Sequence, residues 1–201
     1  MQQYGLKISS IYEKQEQQVI DNASGYYFIS ETGNYVFNCI GDTIVEHDIK
    51  NALLHITCIS QSDTIKIEIR SNGKVSDGEL SDVYHKIIAK NTDVSMLINA
   101  KGVADENSKI IYRSSLGAFK DATGNGVQKG EFILLANSAE VDAVPGLDIY
   151  SSTVPTTHNI SIGGIDKNKI WYMTSRGMSE EEARQEYVLG FLGKTEVVSN
   201  Q

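Results

Sequence analysis

Residues 142–191 read DAVPGLDIYSSTVPTTHNISIGGIDKNKIWYMTSRGMSEEEARQEYVLGF. The stretch holds a strand-like run with a proline, one histidine, a glycine pair and then two short helical patterns. The helical patterns are separated by Arg176-Gly177-Met178, and the character of the chain changes at Asp166. We therefore predict a β-body over residues 1–165, whose residues 1–20 form a cap or a frayed tail. A helical tail should follow over residues 166–201.

Both helices of the tail carry recognisable end signals. Asp166 is a predicted N-cap for a helix over Lys167–Ser175, and Gly177 is its predicted stop. Ser179 and Glu182 have the spacing of a capping box at the start of the second helix. The apolar stripe of that helix is predicted to be Ala183, Tyr187 and Phe191, with Val188 and Leu192 beside it, ending near Gly193.

Short strand-like runs dominate the sequence before Asp166, and no helical period of useful length interrupts them. Thr64–Arg70 alternates strictly between apolar and polar residues, which is typical of a strand with one buried face. The runs are rich in Ile, Val, Tyr and Thr and are bounded by Gly, Asn, Asp and Ser. They are Tyr26–Ser30, Tyr35–Ile40, Thr43–Glu46, Ala52–Ser60, Thr64–Arg70, Val83–Ala89, Val94–Ala100, Ser108–Arg113, Glu131–Leu135 and Leu147–Tyr150. The density of strands favours a sandwich, a barrel or a β-helix, and periodicity does not choose among them.

Composition narrows the classes of partner. The 201 residues carry a net charge of −8, which argues against non-specific binding to nucleic acid or to an anionic membrane. The two cysteines are too few for a disulfide framework. The N-terminus lacks the pattern of a signal peptide, and no apolar run is long enough to span a membrane. A soluble cytoplasmic protein is the expectation.

Three constellations that could carry chemistry are better explained otherwise. Gly193-Lys194-Thr195 resembles the end of a phosphate-binding loop, but Val188 stands where that motif needs glycine, so we predict no ATPase activity. Cys39, His47, His55 and Cys58 are predicted to be core cysteines and surface histidines, because His55 and Cys58 would face opposite sides of a strand. Gly124-Asn125-Gly126 is predicted to lie in a polar turn over residues 121–130.

The stretch that opens this section resembles the SufB/SufD family, the scaffold subunits of the SUF iron–sulfur cluster assembly machine. The matching residues are Ala139–Ala143 before Pro145, Leu147–Ile149, His158 before Ile162-Gly163, Ile165-Asp166, Tyr172, Ser175–Gly177, Ser179–Ala183 and Gly190-Phe191. A weaker match covers Ser108–Leu135. The resemblance implies a right-handed parallel β-helix, across about residues 26–163, with a small C-terminal helical tail. The helical N-terminal domain usual in the family is not visible in this sequence.

The resemblance singles out His158 as a metal-binding residue. It lines up with a histidine that both branches of the family carry near the scaffold dimer interface. Thr156-Thr157 replaces the Cys-Ser pair of the SufD branch, Asn159 replaces a Glu of the SufB branch, and no cysteine lies near Gly130. The chain therefore looks closer to SufD. The isolated protein should hold no cofactor, and iron or a transient iron–sulfur cluster should bind at His158 only when a partner supplies further ligands.

In the family, the tail helices dock SufC, an ABC-type ATPase. The resemblance implies that Trp171, Tyr172, Arg176, Gly177 and Met178 contact such a partner. The alternative is that Trp171 and Tyr172 cap the end of the β-body, and the two roles could also be combined on different faces. The chain should also form a dimer with itself or with a SufB/SufD-like paralogue. A non-catalytic scaffold is thus the expected function. The alternatives are a β-helical carbohydrate-active enzyme, for which no convincing acid pair is visible, and an adaptor that kept only the ATPase-docking role.

Overall fold

A computed structural model describes residues 16–50 and 53–193. Within these residues, strands come first and helices follow, as the sequence predicts. The strands are β1 (Gln17–Ile29), β2 (Gly33–Asp48), β3 (Leu53–Ser60), β4 (Ile65–Val75), β5 (Leu80–Ala89), β6 (Val94–Ala104), β7 (Lys109–Ala118), β8 (Gly124–Leu134), β9 (Glu140–Ile149) and β10 (Thr156–Gly164). The helices are α1 (Lys167–Ser175) and α2 (Glu180–Leu192). Neither helix combines the length and the apolar character that crossing a membrane requires.

The strands stack as a parallel β-helix, which confirms the predicted fold class. Successive strands alternate between two faces, in the orders β2-β4-β6-β8-β10 and β2-β3-β5-β7-β9, and β1 pairs with β2. Every strand pair is parallel. Ile65, Val94 and Gly124 lie side by side in β4, β6 and β8, so about 30 residues complete one coil. This stacking excludes the sandwich and the closed barrel.

The period-two patterns of the sequence determine which side chains enter the core. In β3, buried and half-buried residues alternate, so that Ile56 and Cys58 face inward and His55 faces outward. Many equivalent inward positions in successive coils are apolar, as at Ile67 and Met96 or Ile69 and Ile98, and their side chains stack on one another along the axis. The core contains the fully buried Phe37, Ile56, Ile67, Ile69, Ile87, Ile98, Ile110, Tyr112 and Leu116.

Residues with a left-handed backbone conformation form the corners between strands. Thr64 and Asp93 precede β4 and β6 with φ of 54° and 56°, and Asp77 and Asn107 take φ of 57° and 54° before β5 and β7. Short polar side chains at these corners also bond to backbone amides of the next coil, such as the carboxylate of Asp63, which accepts from Thr92 N at 2.8 Å. Corner residues of this kind explain why Asn, Asp and Thr punctuate the strands in sequence.

The prediction that Gly124-Asn125-Gly126 lies in a turn is wrong, because Gly124–Leu134 is strand β8. Of the turn predicted over residues 121–130, only residues 121–123 lie between strands. The glycines of β8 are required by packing. A Cβ added at Gly126 would come within 2.8 Å of Leu116 Cδ1, so the side chain of the opposite sheet fills the space that a residue larger than glycine would need. Residues 17–20 of the predicted cap or frayed tail belong to β1, and residues 1–15 lie outside the described part of the chain.

Candidate functional site

The last coil of the β-helix carries His158. Aligned residues of neighbouring strands share a face, and His158 in β10 is aligned with the buried Gln128 in β8. No later strand stacks on β10 among the described residues, so His158 is exposed although it continues a column of the core. It borders a shallow groove of about 500 Å³ with Ala143, Pro145, Asn159, Ile160 and Ile162.

Gln128 forms the floor beneath His158, and the sequence analysis missed it. Its side-chain oxygen accepts a hydrogen bond from Ser114 Oγ at 3.0 Å, and its Nε2 donates to the carbonyl of Gly146 at 2.8 Å. The amide therefore connects β8 with β7 and β9 across the core. A polar residue at an inward position of a strand is the signal that could have identified it.

A second set of polar side chains, His47, His85 and Tyr112, lies deep in the same core. His47 Nε2 and His85 Nε2 are 2.7 Å apart, and His85 Nδ1 is 3.3 Å from the hydroxyl of Tyr112. His47 Nδ1 lies 2.9 Å from the carbonyl of Asp48, which can only accept. The tautomers follow: His47 Nδ1 donates to Asp48, His85 Nε2 donates to His47 Nε2, and the Tyr112 hydroxyl donates to His85 Nδ1.

Burial keeps both of these histidines neutral. It lowers the pKa of His47 to about 4, and it also holds the pKa of His85 well below its usual value, with a smaller contribution from the neighbouring His47. The prediction that His47 is a surface residue is therefore wrong. His47 follows Thr43 and Val45 at alternate positions of β2, all of which are buried, so its strand phase points it inward.

The cysteines lie where the sequence analysis predicts. Cys39 and Cys58 are fully buried on the neighbouring strands β2 and β3. His55 lies on the other face of β3, with its Nε2 3.1 Å from Thr57 Oγ1. In the described ranges, no group of three or more His, Cys, Asp or Glu side chains could hold a metal ion.

The tail begins and ends its helices as predicted. Asp166 Oδ1 accepts from the amides of Asn168 and Lys169 at 3.0 and 3.4 Å, which confirms the N-cap. Gly177 takes φ of 100° at the helix stop. The capping box is also present, because Ser179 Oγ accepts from Glu182 N and the Glu182 carboxylate accepts from Ser179 N at 2.8 Å.

The buried stripe of α2 differs from the prediction. Ala183, Val188 and Leu192 are buried, whereas Tyr187 and Phe191 are only half-buried. Val188 and Leu192 pack on Val103 and Ile133 of the β-body. Tyr187 and Phe191 pack against the edge of this cluster and also line a groove between the two helices. The other residues of the groove are Asn168, Lys169, Tyr172, Met173, Glu186 and Gly190. Helix α2 thus packs against the β-body on one side and against α1 on another.

The five residues predicted to contact a partner lie on the surface of the tail. Trp171, Tyr172 and Met178 are 71%, 56% and 41% exposed, and Arg176 and Gly177 are exposed as well. The structure brings two of them together, since the Arg176 guanidinium lies 5.3 Å from the centre of the Tyr172 ring. The exposure of Trp171 and Tyr172 contradicts the alternative that they cap the β-body.

Comparison with known proteins gives consistent matches. The family model described as "SUF system FeS cluster assembly, SufBD core domain" matches residues 41–191. Relatives named iron–sulfur cluster assembly SufBD family proteins include one from Staphylococcus epidermidis ATCC 12228, 23% identical over 180 residues, covering 83% of this chain and 39% of the relative. One from Staphylococcus saprophyticus is 24% identical over 144 residues, covering 71% and 31%. One from Staphylococcus aureus USA300 is 24% identical over 168 residues, covering 82% and 35%. The chain thus spans between 31% and 39% of the length of these relatives.

Proposed function

The chain belongs to the SufBD core-domain family of the SUF iron–sulfur cluster assembly system, and we propose that it is a non-catalytic scaffold component of such an assembly complex. One observation carries the proposal. The coil that ends the described β-helix presents an exposed histidine on β10, one of two strands with open edges, and the same chain continues into a helical tail with exposed aromatic residues. A scaffold needs both a place to receive its cargo and a place to bind the protein that drives the process.

The open edges support pairing with another β-helix. β9 and β10 each pair with one strand, and within the described residues their outer edges have no strand partner. Unpaired backbone amides and carbonyls at such edges can accept another strand. Val144, Leu147 and Ile162 are exposed on these strands by 54%, 40% and 45%, and would be covered by the partner. The partner in the proposal is a second copy or a SufB/SufD-like paralogue.

His158 is the proposed contact for iron at that interface. A neutral imidazole nitrogen is a good ligand for iron, and the side chain is exposed beside the open edge. Since the described residues hold no set of three or more metal-binding side chains, the other ligands would come from the partner. In this proposal iron or a nascent cluster is cargo of the complex, and the chain is closer to the SufD branch than to SufB.

The tail is the proposed docking site for a SufC-like ABC ATPase. Trp171, Tyr172 and Met178 expose apolar surface, and the Arg176 guanidinium stacked near Tyr172 provides a planar set of donors. Aromatic residues, methionine and arginine are enriched at the cores of protein–protein interfaces. ATP-driven movement of the ATPase would be passed through the tail to the β-body.

A pull-down of the tagged chain from its host tests the proposal. The eluate should contain an ABC-type ATPase and a second SufBD-family chain or copy, with iron and sulfide in proportion to the complex. An ATPase without iron, under anaerobic conditions, would support the adaptor alternative instead. Recovery of the chain alone, at native expression and with mild detergent-free lysis, would overturn the proposal.

A further inference from the structure

The orientation of the helical tail depends on a contact that the proposed function does not use. Helix α2 ends at Leu192, and the carbonyl groups of its last turn have no partners within the helix. The amide of Gly193, just after the helix, donates to the carbonyls of Gly190 and Leu189. The last turn contains no basic residue of its own. A cation at this end would be favourable, because the carbonyl end of a helix carries partial negative charge.

Lys101 supplies that cation from the β-body. It lies on β6, 90 residues earlier in the chain, and its Nζ donates to the carbonyl of Phe191 at 3.0 Å. The same Nζ lies 5.3 Å from the centre of the Phe191 ring, within cation–π range. One side chain therefore holds both the backbone and the side chain of the last turn of α2.

The apolar part of the junction lies directly beside Lys101. Val103, two residues along the same face of β6, joins Ile133 of β8 in a small cluster with Val188 and Leu192 of α2. This cluster is separate from the main core of the β-helix. Apolar packing of this size supplies attraction but little direction, whereas a hydrogen bond to one carbonyl fixes how the helix is rotated and shifted.

A cleft of about 510 Å³ lies between α2 and the turn after β6, beside the apolar cluster. It is lined by Arg184, Val188 and Leu189 of the helix and by Asp105 and Glu106 of the body. Asp105 there is paired with Lys74 of the body at 2.7 Å. The helix thus has room to tilt on this side, and the contact at Lys101 opposes that tilt.

Helix α1 is positioned by its contacts with α2. The groove between the helices is closed by contacts such as Lys169 Nζ of α1, which lies 5.5 Å from the centre of the Tyr187 ring of α2. The exposed residues Trp171 and Tyr172 on α1 therefore take their position from α2. Lys101 itself is aligned with Glu131 of β8 and, one strand further, with Ser161 of β10, the strand that carries His158.

We propose that Lys101 is a positioning residue that fixes the orientation of the docking tail relative to the β-body. Its role in passing motion from a docked ATPase to β6, β8 and β10 rests on the proposed function, whereas the orientation of the tail does not. Lys101→Met should leave the tail helical and still attached by its apolar cluster, but free to tilt. Lys129→Met is the matched control, since Lys129 is exposed on the neighbouring strand β8.

Two measurements on the isolated full chain test the proposal. Spin labels at Ser175→Cys and Asn125→Cys report the distance between tail and body by pulsed electron resonance, with the natural Cys39 and Cys58 fully buried. Lys101→Met should broaden this distance distribution, and Lys129→Met should not. Amide hydrogen exchange in α2 should rise by about tenfold in Lys101→Met, because a charge-assisted bond at its end is lost. Unchanged distance distribution in Lys101→Met would overturn the proposal, even if exchange increased.

A third measurement separates this inference from the proposed function. Calorimetric titration of a purified ABC-type ATPase from the host should give the same affinity for Lys101→Met as for the unsubstituted chain, within about threefold, since the docking residues are untouched. If the unsubstituted chain does not bind the ATPase, the proposed function fails and the two measurements on the isolated chain still decide the role of Lys101. An affinity lost in Lys101→Met alone would show that Lys101 belongs to the docking site and would overturn its assignment as a positioning residue.

Discussion

Acidification should destabilise the fold through the two histidines in its core, well above the pH at which carboxylates protonate. An unfolded histidine titrates near pH 6.5, whereas the pKa of His47 in the folded chain is about 4 because the side chain is buried. Between these values the unfolded chain binds more protons than the folded chain, so the free energy of unfolding rises with pH. The contribution of His47 is complete above pH 6.5 and is lost progressively as the pH falls from 6.5 to about 4.

The size of the effect can be estimated from these two values. Lowering the pH from 7 to 5 should remove about 2 kcal/mol of unfolding free energy through His47 alone. His85 adds a loss in the same direction, since burial lowers its pKa as well. The pKa of Glu68 is lowered chiefly by its hydrogen bond with Arg70, so its contribution disappears only below the usual range of a carboxyl group and outside this window.

Urea unfolding at pH 7, 6 and 5 provides the assay. The reference is a variant carrying His47→Leu, His85→Leu and Tyr112→Phe. It removes the three hydrogen-bonding side chains of this core network together, so that no tyrosine hydroxyl is left without a partner. His55, whose pKa is also lowered to about 4, is present in both proteins, so its effect cancels in the comparison. The unsubstituted chain should lose at least about 2 kcal/mol more than the variant between pH 7 and 5.

Two results would refute this reasoning. Equal pH dependence in the two proteins would show that the histidines do not control acid stability. If the triple variant does not fold, proton resonance titration of the unsubstituted chain decides the question. Imidazole signals of His47 and His85 that titrate near pH 6.5 in the folded protein would contradict their burial in the neutral form.

Three further changes test the tail, the last coil and the corners. Arg176→Glu with Met178→Asp should weaken binding of an ABC-type ATPase at least about tenfold in calorimetric titration, while thermal stability stays within about 0.5 kcal/mol. His158→Ala should reduce the iron bound by the complex with its SufBD-family partner, measured by metal analysis, and leave the circular dichroism spectrum of the isolated chain unchanged. Gly124→Ala should cost more than about 2 kcal/mol in urea unfolding, because φ is 132° and the added Cβ would lie 2.0 Å from Val94 O.

Each of these changes has a control in the same chain. Lys129→Glu reverses a charge on the body and should leave ATPase binding intact. Asn159→Ala, next to His158 in β10, should leave bound iron unchanged. Gly190→Ala, where an added Cβ meets nothing within 4 Å, should stabilise α2 slightly. A control that behaves like its partner variant would remove the specific explanation in that case.

The parts of this fold that the sequence predicts are those set by local interactions. Asp166, Gly177 and the Ser179–Glu182 box act within four residues of their own positions, and each is found as predicted. Strand alternation is local as well, which is why the outward phase of His55 and the inward phase of Cys58 could be derived. The same reasoning applied to Val45 and His47 would have placed His47 in the core.

The remaining features depend on which coil lies next to which. His47 meets His85 across 38 positions, and Gln128 bonds to Ser114 of the opposite sheet. Nothing in the spacing of these residues indicates contact, because one coil of the β-helix takes about 30 residues and the faces alternate. Gly126 shows the same limit: glycine normally signals a turn, but here it makes room for Leu116. The resemblance to SufB/SufD predicted the β-helix. Which side chains are neighbours in the core depends on the strand register, which only the structure shows.

The tail shows how such distant contacts bear on function. α1 has nine residues and a single buried side chain, Ile170, so it is too short to be stable alone in water. Its order therefore comes from α2, and α2 in turn is ordered by Val103, Ile133 and Lys101 of the β-body. A partner that binds the exposed face of α1 therefore meets a surface whose orientation relative to the β-body is set by this series of contacts. Loss of Lys101 alone should leave α1, α2 and their apolar cluster in place, so that the orientation of the exposed face changes and its affinity does not. A change at Val103 or Ile133 that detaches α2 from the β-body must weaken the partner, and by reciprocity binding of the partner must stabilise this apolar junction.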